Sequence, residues 1–179
     1  MPQQQQSAAP DVKDLATRFA DRLWNHPDPG PIDALVTPGF VGHSPGNPDV
    51  RGAAELTEAA AELRRALPDL RLRILNRLAE GDRVFLRSVL TGTQQGEYLG
   101  IPPAGTPLRI TGMTILRFEG GRVAELWQQS DDLGVLDQLG VVPPKEAGPL
   151  GRIAHTFRLA ARFGVLKAKA AKRERAAAR

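Results

Sequence analysis

The chain of 179 residues contains no cysteine, which excludes disulfide bonds, thiolate metal sites and thiol nucleophiles. Aromatic residues make up only 5%, and the three histidines (His26, His43 and His155) do not stand at zinc-ligand spacing. The sequence also lacks a P-loop, a G-x-G-x-x-G turn and a G-x-S-x-G elbow, so neither a cofactor nor a metal is expected. Long apolar runs are missing, and MPQQQQSAAP does not resemble a secretory signal. The expected location is therefore the cytoplasm.

The formal net charge of +4 is unevenly distributed along the chain. Residues 1–144 carry 14 Lys and Arg against 18 Asp and Glu, a net charge of −4. Residues 145–179 carry 10 Lys and Arg against 2 Glu, a net charge of +8. Because phosphate binding needs cations clustered on a folded surface, the acidic body is a poor candidate for a nucleic-acid binder. The basic tail requires its own explanation.

Hydrophobic spacing predicts helices in the first part of the chain. A stripe of apolar residues at helical spacing follows Asp11, the predicted N-cap, and consists of Val12, Leu15, Phe19, Leu23 and Trp24. The sequence NHPDPGP ends this helix, and Pro31 opens a second, short one. Residues 53–67 predict a third helix, which Pro68 ends. The passage 38–51 between them is rich in glycine and proline and is predicted to be irregular.

From Leu70 onward the apolar period changes to two, which predicts strands. The predicted strands span residues 70–78, 83–93, 108–118 and 122–131. Gly120-Gly121 is a strong hairpin signal between the last two, because both positions accept a positive φ. Helices followed by an unbroken antiparallel meander favour an α+β fold, with the helices packed on one side of a curved sheet.

One face of the last predicted strand is the most informative feature of the sequence. Alternation places five residues on that face: Val123, Glu125, Trp127, Gln129 and Asp131. Unpaired polar groups are costly to bury, so this face favours a partly wet cavity over a packed core. The alternative for Asp131 is that it caps the short helix predicted over residues 133–139, a position that Asp132 fills equally well.

Four stretches of the chain resemble the SnoaL-like polyketide or ester cyclases of the nuclear transport factor 2-like superfamily. They are LWNHPDPGPIDALVTPGFVGHSP, ALPDLRLRI, TGTQQGEYLGIPPAGTPLRITGMTILRF and GGRVAELWQQSDDLGVLDQLG. The resemblance covers about residues 11–140. We therefore expect a disordered leader (1–10), a SnoaL-like cyclase domain (11–142) and a basic, helical C-terminal tail (143–179).

The resemblance implies a cone-like α+β fold, in which a curved antiparallel sheet wraps around the N-terminal helices and encloses an apolar pocket. The characterised cyclases of this family close a ring by an intramolecular aldol reaction, with an acidic residue at the end of a late strand and without metal or cofactor. Asp131 matches that acidic residue, and His43 matches the histidine of the family's F-V-x-H motif. Gln94 stands where the family often has a histidine.

These considerations give a predicted site. Asp131 is expected to abstract a proton, and His43 or Gln129 to stabilise the developing oxyanion. The predicted substrate-binding residues are Trp24, Phe40, Met113, Trp127 and Gln129. A place in the core is the alternative for Trp24 and Phe40, and a gap-filling role is the alternative for Met113.

The expected function is that of a cofactor-independent lyase- or isomerase-type cyclase, which acts on a small apolar or polyketide-like ligand as a homodimer. The same fold also supports two alternatives in the enzyme class, an isomerase and an epoxide hydrolase. A third alternative is a non-catalytic module for small-ligand binding or dimerisation.

The basic tail has apolar residues at helical spacing in two stripes, Leu150, Ile153, Phe157 and Leu159, Phe163, Leu166. Arginines and lysines are interspersed between them. A helix of this kind suits an anionic membrane surface or nucleic acid. The alternative is a solvated helix, or one that packs on a partner subunit.

Overall fold

The computed structural model describes residues 11–28, 30–144, 146 and 148–177. In chain order the elements are α1 (Val12–Asn25), a 3-10 turn (Ile32–Ala34), β1 (Val36–His43), β2 (Val50–Arg51), α2 (Gly52–Ala66), β3 (Arg71–Glu80), β4 (Arg83–Thr93), β5 (Pro107–Glu119), β6 (Arg122–Ser130), α3 (Asp132–Gln138) and α4 (Pro149–Ala177). Among these described residues, no helix is both long and apolar enough to cross a membrane. The leader predicted for residues 1–10 lies outside the described residues.

The strands form one sheet in the order β2-β1-β6-β5-β4-β3. Two-residue connections at Gly81-Asp82 and Gly120-Gly121 make β3/β4 and β5/β6 antiparallel hairpins, and the three glycines have φ between +57° and +77°. Strand β1 pairs antiparallel with β2 and parallel with β6, so the sheet is mixed. The predicted α+β class is confirmed, with one parallel pair added to the predicted antiparallel meander.

Strand β1, like the two-residue β2, is an element that the sequence failed to predict. Residues 38–51 were expected to be irregular, yet Val41, Gly42 and His43 pair in register with Glu125, Leu126 and Trp127 of β6. The register shifts between Val36 and Val41, and Pro38 falls inside this shift, where a strand tolerates proline. Long-range pairing therefore determines this strand, because its own propensities do not.

The chain divides into two compact units by its internal contacts. The first unit contains the described residues of Met1–Thr57, Ile74–Ser88 and Met113–Gln129, and its buried side chains include Phe19, Leu23, Ile32, Phe40, Val84 and Leu116. The second contains Glu58–Arg73, Val89–Gly112 and the described residues of Ser130–Arg179, with Leu67, Leu70, Leu108, Val135 and Leu139 buried. Each unit thus has its own apolar core.

Capping side chains determine where α1 and α3 begin. Asp11 accepts a hydrogen bond from the Lys13 backbone N–H at 3.0 Å and starts α1, as the sequence predicts. Asp131 does the same for α3 by accepting from the Gly134 N–H at 2.9 Å. Helix α3 is followed by Gly140 at φ +71°, a left-handed position that favours glycine at the end of a helix.

Candidate functional site

A cavity of about 470 Å³ lies within the first unit, large enough for a small organic ligand. One part of its wall is apolar and consists of Phe85 from β4, Met113 and Ile115 from β5, and Trp127 from β6. Polar groups of His43, Asp49, Gln128 and Gln129 line another part. Four of the seven predicted site residues, His43, Met113, Trp127 and Gln129, therefore meet at one cavity.

Strand geometry explains why these side chains converge. Met113 and Ile115 are two residues apart on β5, as are Trp127 and Gln129 on β6, so each pair shares a face of its strand. The parallel register places His43 opposite Trp127. Their rings stack with centroids 5.7 Å apart and planes 26° from parallel. The last residue of β1 thus brings a titratable group to the edge of an apolar wall.

His43 lies between two carboxylates. Its Nδ1 is 2.8 Å from Asp49 Oδ1, and its Nε2 is 3.2 Å from Glu125 Oε1. Only the protonated imidazolium donates a hydrogen bond from both ring nitrogens. The hydrogen bond to Asp49, with that to Glu125 second, raises the pKa of His43 above its ordinary value of 6.5. This arrangement stabilises a positive charge on the ring.

Glu125 contacts a second basic residue, Arg117, in addition to His43. The Nε of Arg117 donates to Glu125 Oε2 at 3.1 Å, so each carboxylate oxygen of Glu125 has a basic partner. Partial desolvation opposes ionisation of Glu125, but the hydrogen bonds from Arg117 and His43 outweigh it and lower its pKa. Glu125 is therefore an anion that supports His43.

Asp49 and Glu125 are functional candidates that the sequence did not identify. Asp49 accepts from Arg51 Nη2 at 3.1 Å in addition to its contact with His43. Glu125 was placed on the informative face of the last strand, but its contact with His43 joins residues 82 positions apart. Only the parallel pairing of β1 with β6 creates that contact, and no local pattern reports it. Asp49 is only six residues from His43 in the sequence, and this short separation is the one local indication that the two side chains could meet.

The structure corrects the predicted orientation of Asp131. Its side chain caps α3 through the Gly134 N–H, and its own backbone N–H donates to the Thr111 carbonyl at 3.0 Å. Asp131 is exposed and is not among the residues that line the cavity. The capping alternative is thus the arrangement found, because a carboxylate at a helix start satisfies an otherwise unpaired N–H. Its catalytic role stays a prediction.

Trp24 and Phe40 take different places from the other predicted binding residues. Phe40 is 1% exposed and belongs to the core of the first unit. Trp24 is half-buried near the end of α1. Neither lines the cavity, so the core alternative holds for Phe40, and ligand binding by Trp24 stays a prediction.

Gln94 has a structural environment in the second unit. Its side chain is fully buried, donates to the carbonyls of Ile101 and Pro102 and accepts from the Ala104 N–H. These three bonds fix the connection between β4 and β5 from inside. In the same connection, burial and the nearby Asp132 charge raise the pKa of Tyr98 to about 12, so its hydroxyl stays protonated at neutral pH.

Within the described residues, no group of three or more histidine, aspartate or glutamate side chains has an arrangement that holds a metal ion. The polar residues that line the cavity therefore carry an imidazole (His43), one carboxylate (Asp49), a hydroxyl (Ser44) and two amides (Gln128 and Gln129).

The model of one protein family, described as SnoaL-like polyketide cyclase, matches residues 14–139. This match extends over well over half of the chain. The chain belongs to the SnoaL-like polyketide cyclase family. No curated protein sequence is similar enough to count as a relative.

Solved structures with the SnoaL-like fold agree with this membership. AclR from Streptomyces galilaeus, assigned as a hydroxylase, is 32% identical over 74% of this chain and 97% of its own, with a TM-score of 0.65. A SnoaL-like protein from Jannaschia sp. CCS1, assigned as a polyketide cyclase, is 27% identical over 76% and 98%, with a TM-score of 0.64. IdmH from Streptomyces antibioticus, also assigned as a polyketide cyclase, is 26% identical over 74% and 100%, with a TM-score of 0.64.

Proposed function

We propose that this SnoaL-like protein is a cofactor-independent cyclase, which closes a ring in a small, apolar, polyketide-like substrate by acid/base chemistry. One observation carries the proposal: a histidine held between two carboxylates borders a cavity with an apolar wall. Membership of the cyclase family supports the reaction class. A reaction of the aldol type needs one proton acceptor, which later returns the proton, and a wall that folds the substrate.

In this proposal His43 is both the base and the acid. His43 first releases a proton to solvent, because only the neutral ring accepts one. Its Nε2 then removes a proton from a carbon between two carbonyl groups, where the C–H bond is already acidic. The carbanion then attacks a second carbonyl carbon of the same molecule, a C–C bond forms, and the C=O electron pair moves to oxygen. The imidazolium returns the proton to this alkoxide, so no other reactant is consumed. A base with a pKa near the operating pH contributes roughly 10² to 10⁴ in rate.

The carboxylates on either side of His43 supply the electrostatic part of this proposal. Asp49 and Glu125 stabilise the imidazolium that forms when the substrate loses its proton. Glu125, at the longer distance, is the partner that substrate displaces from Nε2, so that Nε2 faces the carbon that loses its proton while the charge of Glu125 stays nearby. Asp49 then keeps the ring oriented through Nδ1, in the manner of an aspartate that orients a catalytic histidine.

In this proposal the cavity wall holds the two reacting carbon atoms of the substrate close together. Met113 and Ile115 expose apolar surface beside Trp127, which favours a flat or folded hydrocarbon skeleton. The amide of Gln129 is a hydrogen-bond donor for a carbonyl oxygen of that ligand. By holding the nucleophilic carbon near its target carbonyl, the wall selects a near-attack conformation of the flexible substrate.

Asp131 remains the competing base, because it matches the acidic residue of the family motif. The two candidates are separated by matched amide substitutions. We expect His43→Gln to lower turnover of a linear β-dicarbonyl polyketide ester by about 10² or more, and Asp131→Asn to leave it nearly unchanged. His26→Gln is the control, since His26 is exposed at the end of α1 and bonds only to Asp21 among the contacts described. Undiminished turnover in His43→Gln, or loss confined to Asp131→Asn, overturns the assignment of His43.

The resemblance to AclR makes hydroxylation a second candidate reaction. Ring closure by an aldol step gives a product of the same mass as the substrate, whereas hydroxylation adds one oxygen atom and consumes an added oxidant such as dioxygen. Mass spectrometry with NMR of the product distinguishes these two reactions from a simple isomerisation. A ligand that binds equally well to wild type and His43→Gln without being converted supports the non-catalytic binding module instead.

The proposal keeps two further expectations from the sequence, the homodimer and the cytoplasmic location. Met113 and Ile115 line the cavity, so a second copy that covered them would compete with substrate for the same surface. Analytical ultracentrifugation with and without ligand tests the oligomeric state, and cell fractionation tests the location.

A further inference from the structure

Helix α4 lies outside the part of the chain that the cyclase fold explains. The family model ends at residue 139, and structures covered over 97% to 100% of their own length account for only 74% to 76% of this chain. Helix α4 begins at Pro149 and continues for 29 residues. A function in ring closure does not account for this segment.

One face of α4 packs against its own unit. His155 Nε2 lies 3.1 Å from the Val141 carbonyl, and Arg162 Nη1 donates to the Leu139 carbonyl at 2.9 Å. The apolar residues on this side are half-buried: Leu159, Phe163 and Leu166. This side of the helix therefore already has a partner.

The opposite face presents three bulky apolar side chains to solvent. Leu150 is 82% exposed, Ile153 54% and Phe157 73%. Their spacing of three and four residues places them on one stripe, which lies on roughly the opposite side of the helix from Leu159 and Phe163. Single exposed apolar residues are ordinary, but an aligned set on one helix face indicates a surface that binds something.

Positive charge accompanies this apolar stripe. Residues 145–179 carry a net charge of +8, and eight of their ten Lys and Arg follow Phe157. Residues 1–144 carry −4, so the excess of cations is concentrated in residues 145–179 of the sequence. Apolar side chains together with a segment of high positive charge are the combination that anionic bilayers recognise, because such a bilayer offers acyl chains beneath charged headgroups.

We propose that α4 binds the surface of an anionic phospholipid bilayer and lies in the plane of the interface. Leu150, Ile153 and Phe157 enter the acyl region, and the net positive charge of residues 145–179 attracts the anionic headgroups. Nucleic acid would satisfy the cations and leave the three apolar side chains in water, so it fits less well. The proposal is independent of the chemistry at the cavity, and it assigns the basic tail a role in attachment.

The test uses the full chain and two kinds of vesicle. We expect co-flotation with phosphatidylglycerol-containing vesicles, little with pure phosphatidylcholine, and weaker binding at high salt because the headgroup attraction is screened. The triple variant Leu150→Ser, Ile153→Ser, Phe157→Ser is expected to bind anionic vesicles about tenfold or more weakly, with unchanged turnover. Leu78→Ser on β3 is the matched control, because Leu78 is also a well-exposed leucine, and it is expected to bind like wild type.

If something other than an anionic bilayer binds the apolar stripe of α4, these experiments give different results. Equal affinity of the triple variant and wild type for anionic vesicles overturns the proposal, as does equal binding to neutral vesicles. Tighter binding to a DNA or RNA duplex than to anionic vesicles assigns the helix to nucleic acid and overturns it too. If the triple variant changes the oligomeric state and not the vesicle binding, a second copy covers the stripe, and the proposal is wrong. A circular dichroism spectrum equal to that of wild type shows that the variant is folded.

Discussion

The Nδ1 of His43 lies 2.8 Å from Asp49 Oδ1, which is closer than Nε2 of the same ring lies to Glu125 Oε1 at 3.2 Å. The two carboxylates therefore contribute unequally to the protonation of one imidazole. The nearer one, from a loop six residues along the chain, has the larger effect on the pKa of His43. The farther one comes from the neighbouring strand, and Arg117 already shares its charge.

The first prediction concerns this inequality. Asp49→Asn is expected to lower the pKa of His43 toward its ordinary value, and Glu125→Gln to lower it by less, since Asp49 is the larger cause of the raised pKa. NMR titration of the His43 ring protons in the three proteins measures this directly. His26 in the same spectra serves as an internal reference. A larger fall in Glu125→Gln than in Asp49→Asn contradicts the ordering of the two contacts.

The second prediction is a pH dependence of stability. A group with a raised folded-state pKa contributes stability that is complete below its unfolded value, here about 6.5, and is lost as the pH rises through the folded value. The free energy of unfolding of wild type should therefore decline from pH 6 upward relative to that of His43→Gln. Urea unfolding of both proteins at several pH values measures the difference. Parallel pH profiles would show that His43 contributes no such linkage.

The third prediction separates capping from catalysis at Asp131. Replacing this N-cap with alanine removes the acceptor for the Gly134 N–H and is expected to cost about 1 kcal/mol of unfolding free energy. Asp131→Asn retains a capping oxygen and should cost less. Thermal unfolding monitored by circular dichroism provides the measurement. A large loss of turnover in Asp131→Asn, with stability unchanged, contradicts a purely structural role.

The accuracy of the sequence-based predictions follows from how local each signal is. Strand β4 and the start of β6 agree with their predicted bounds, because alternation and the Gly120-Gly121 turn depend on neighbouring residues only. Strand β1 has Pro38 and two glycines and is held by a partner more than 80 residues away, so its own sequence could not reveal it. The site shows the same division. His43, Met113 and Trp127 were identified individually, but the contact between His43 and Glu125 depends on that long-range pairing.

The fourth prediction concerns Gln94, which the resemblance compares with a histidine of the family. Gln94→Leu keeps the volume and removes the amide, so the buried Pro102 carbonyl and the half-buried Ala104 N–H lose their side-chain partner. Each unsatisfied buried group costs about 1–3 kcal/mol, so we expect a loss of about 2 kcal/mol or more. Urea unfolding measures the loss, and limited proteolysis should show earlier cleavage in residues 95–105. Gln95→Leu is the control, because Gln95 is exposed, and comparable losses in both variants would contradict the role of the Gln94 bonds.

The fifth prediction uses two glycines that differ in the space around them. A Cβ at Gly96 would collide with the backbone carbonyl of Arg65, a group at the end of α2 that cannot rotate away as a side chain would. Neither glycine has a positive φ, so backbone conformation does not separate them. Gly96→Ala is therefore expected to lower the unfolding free energy by about 1–3 kcal/mol through overpacking. Gly39→Ala in β1 meets no heavy atom within 4 Å and should change it little. Thermal unfolding of the two variants tests the contrast, and equal midpoints would mean that the contact between residue 96 and the end of α2 relaxes freely.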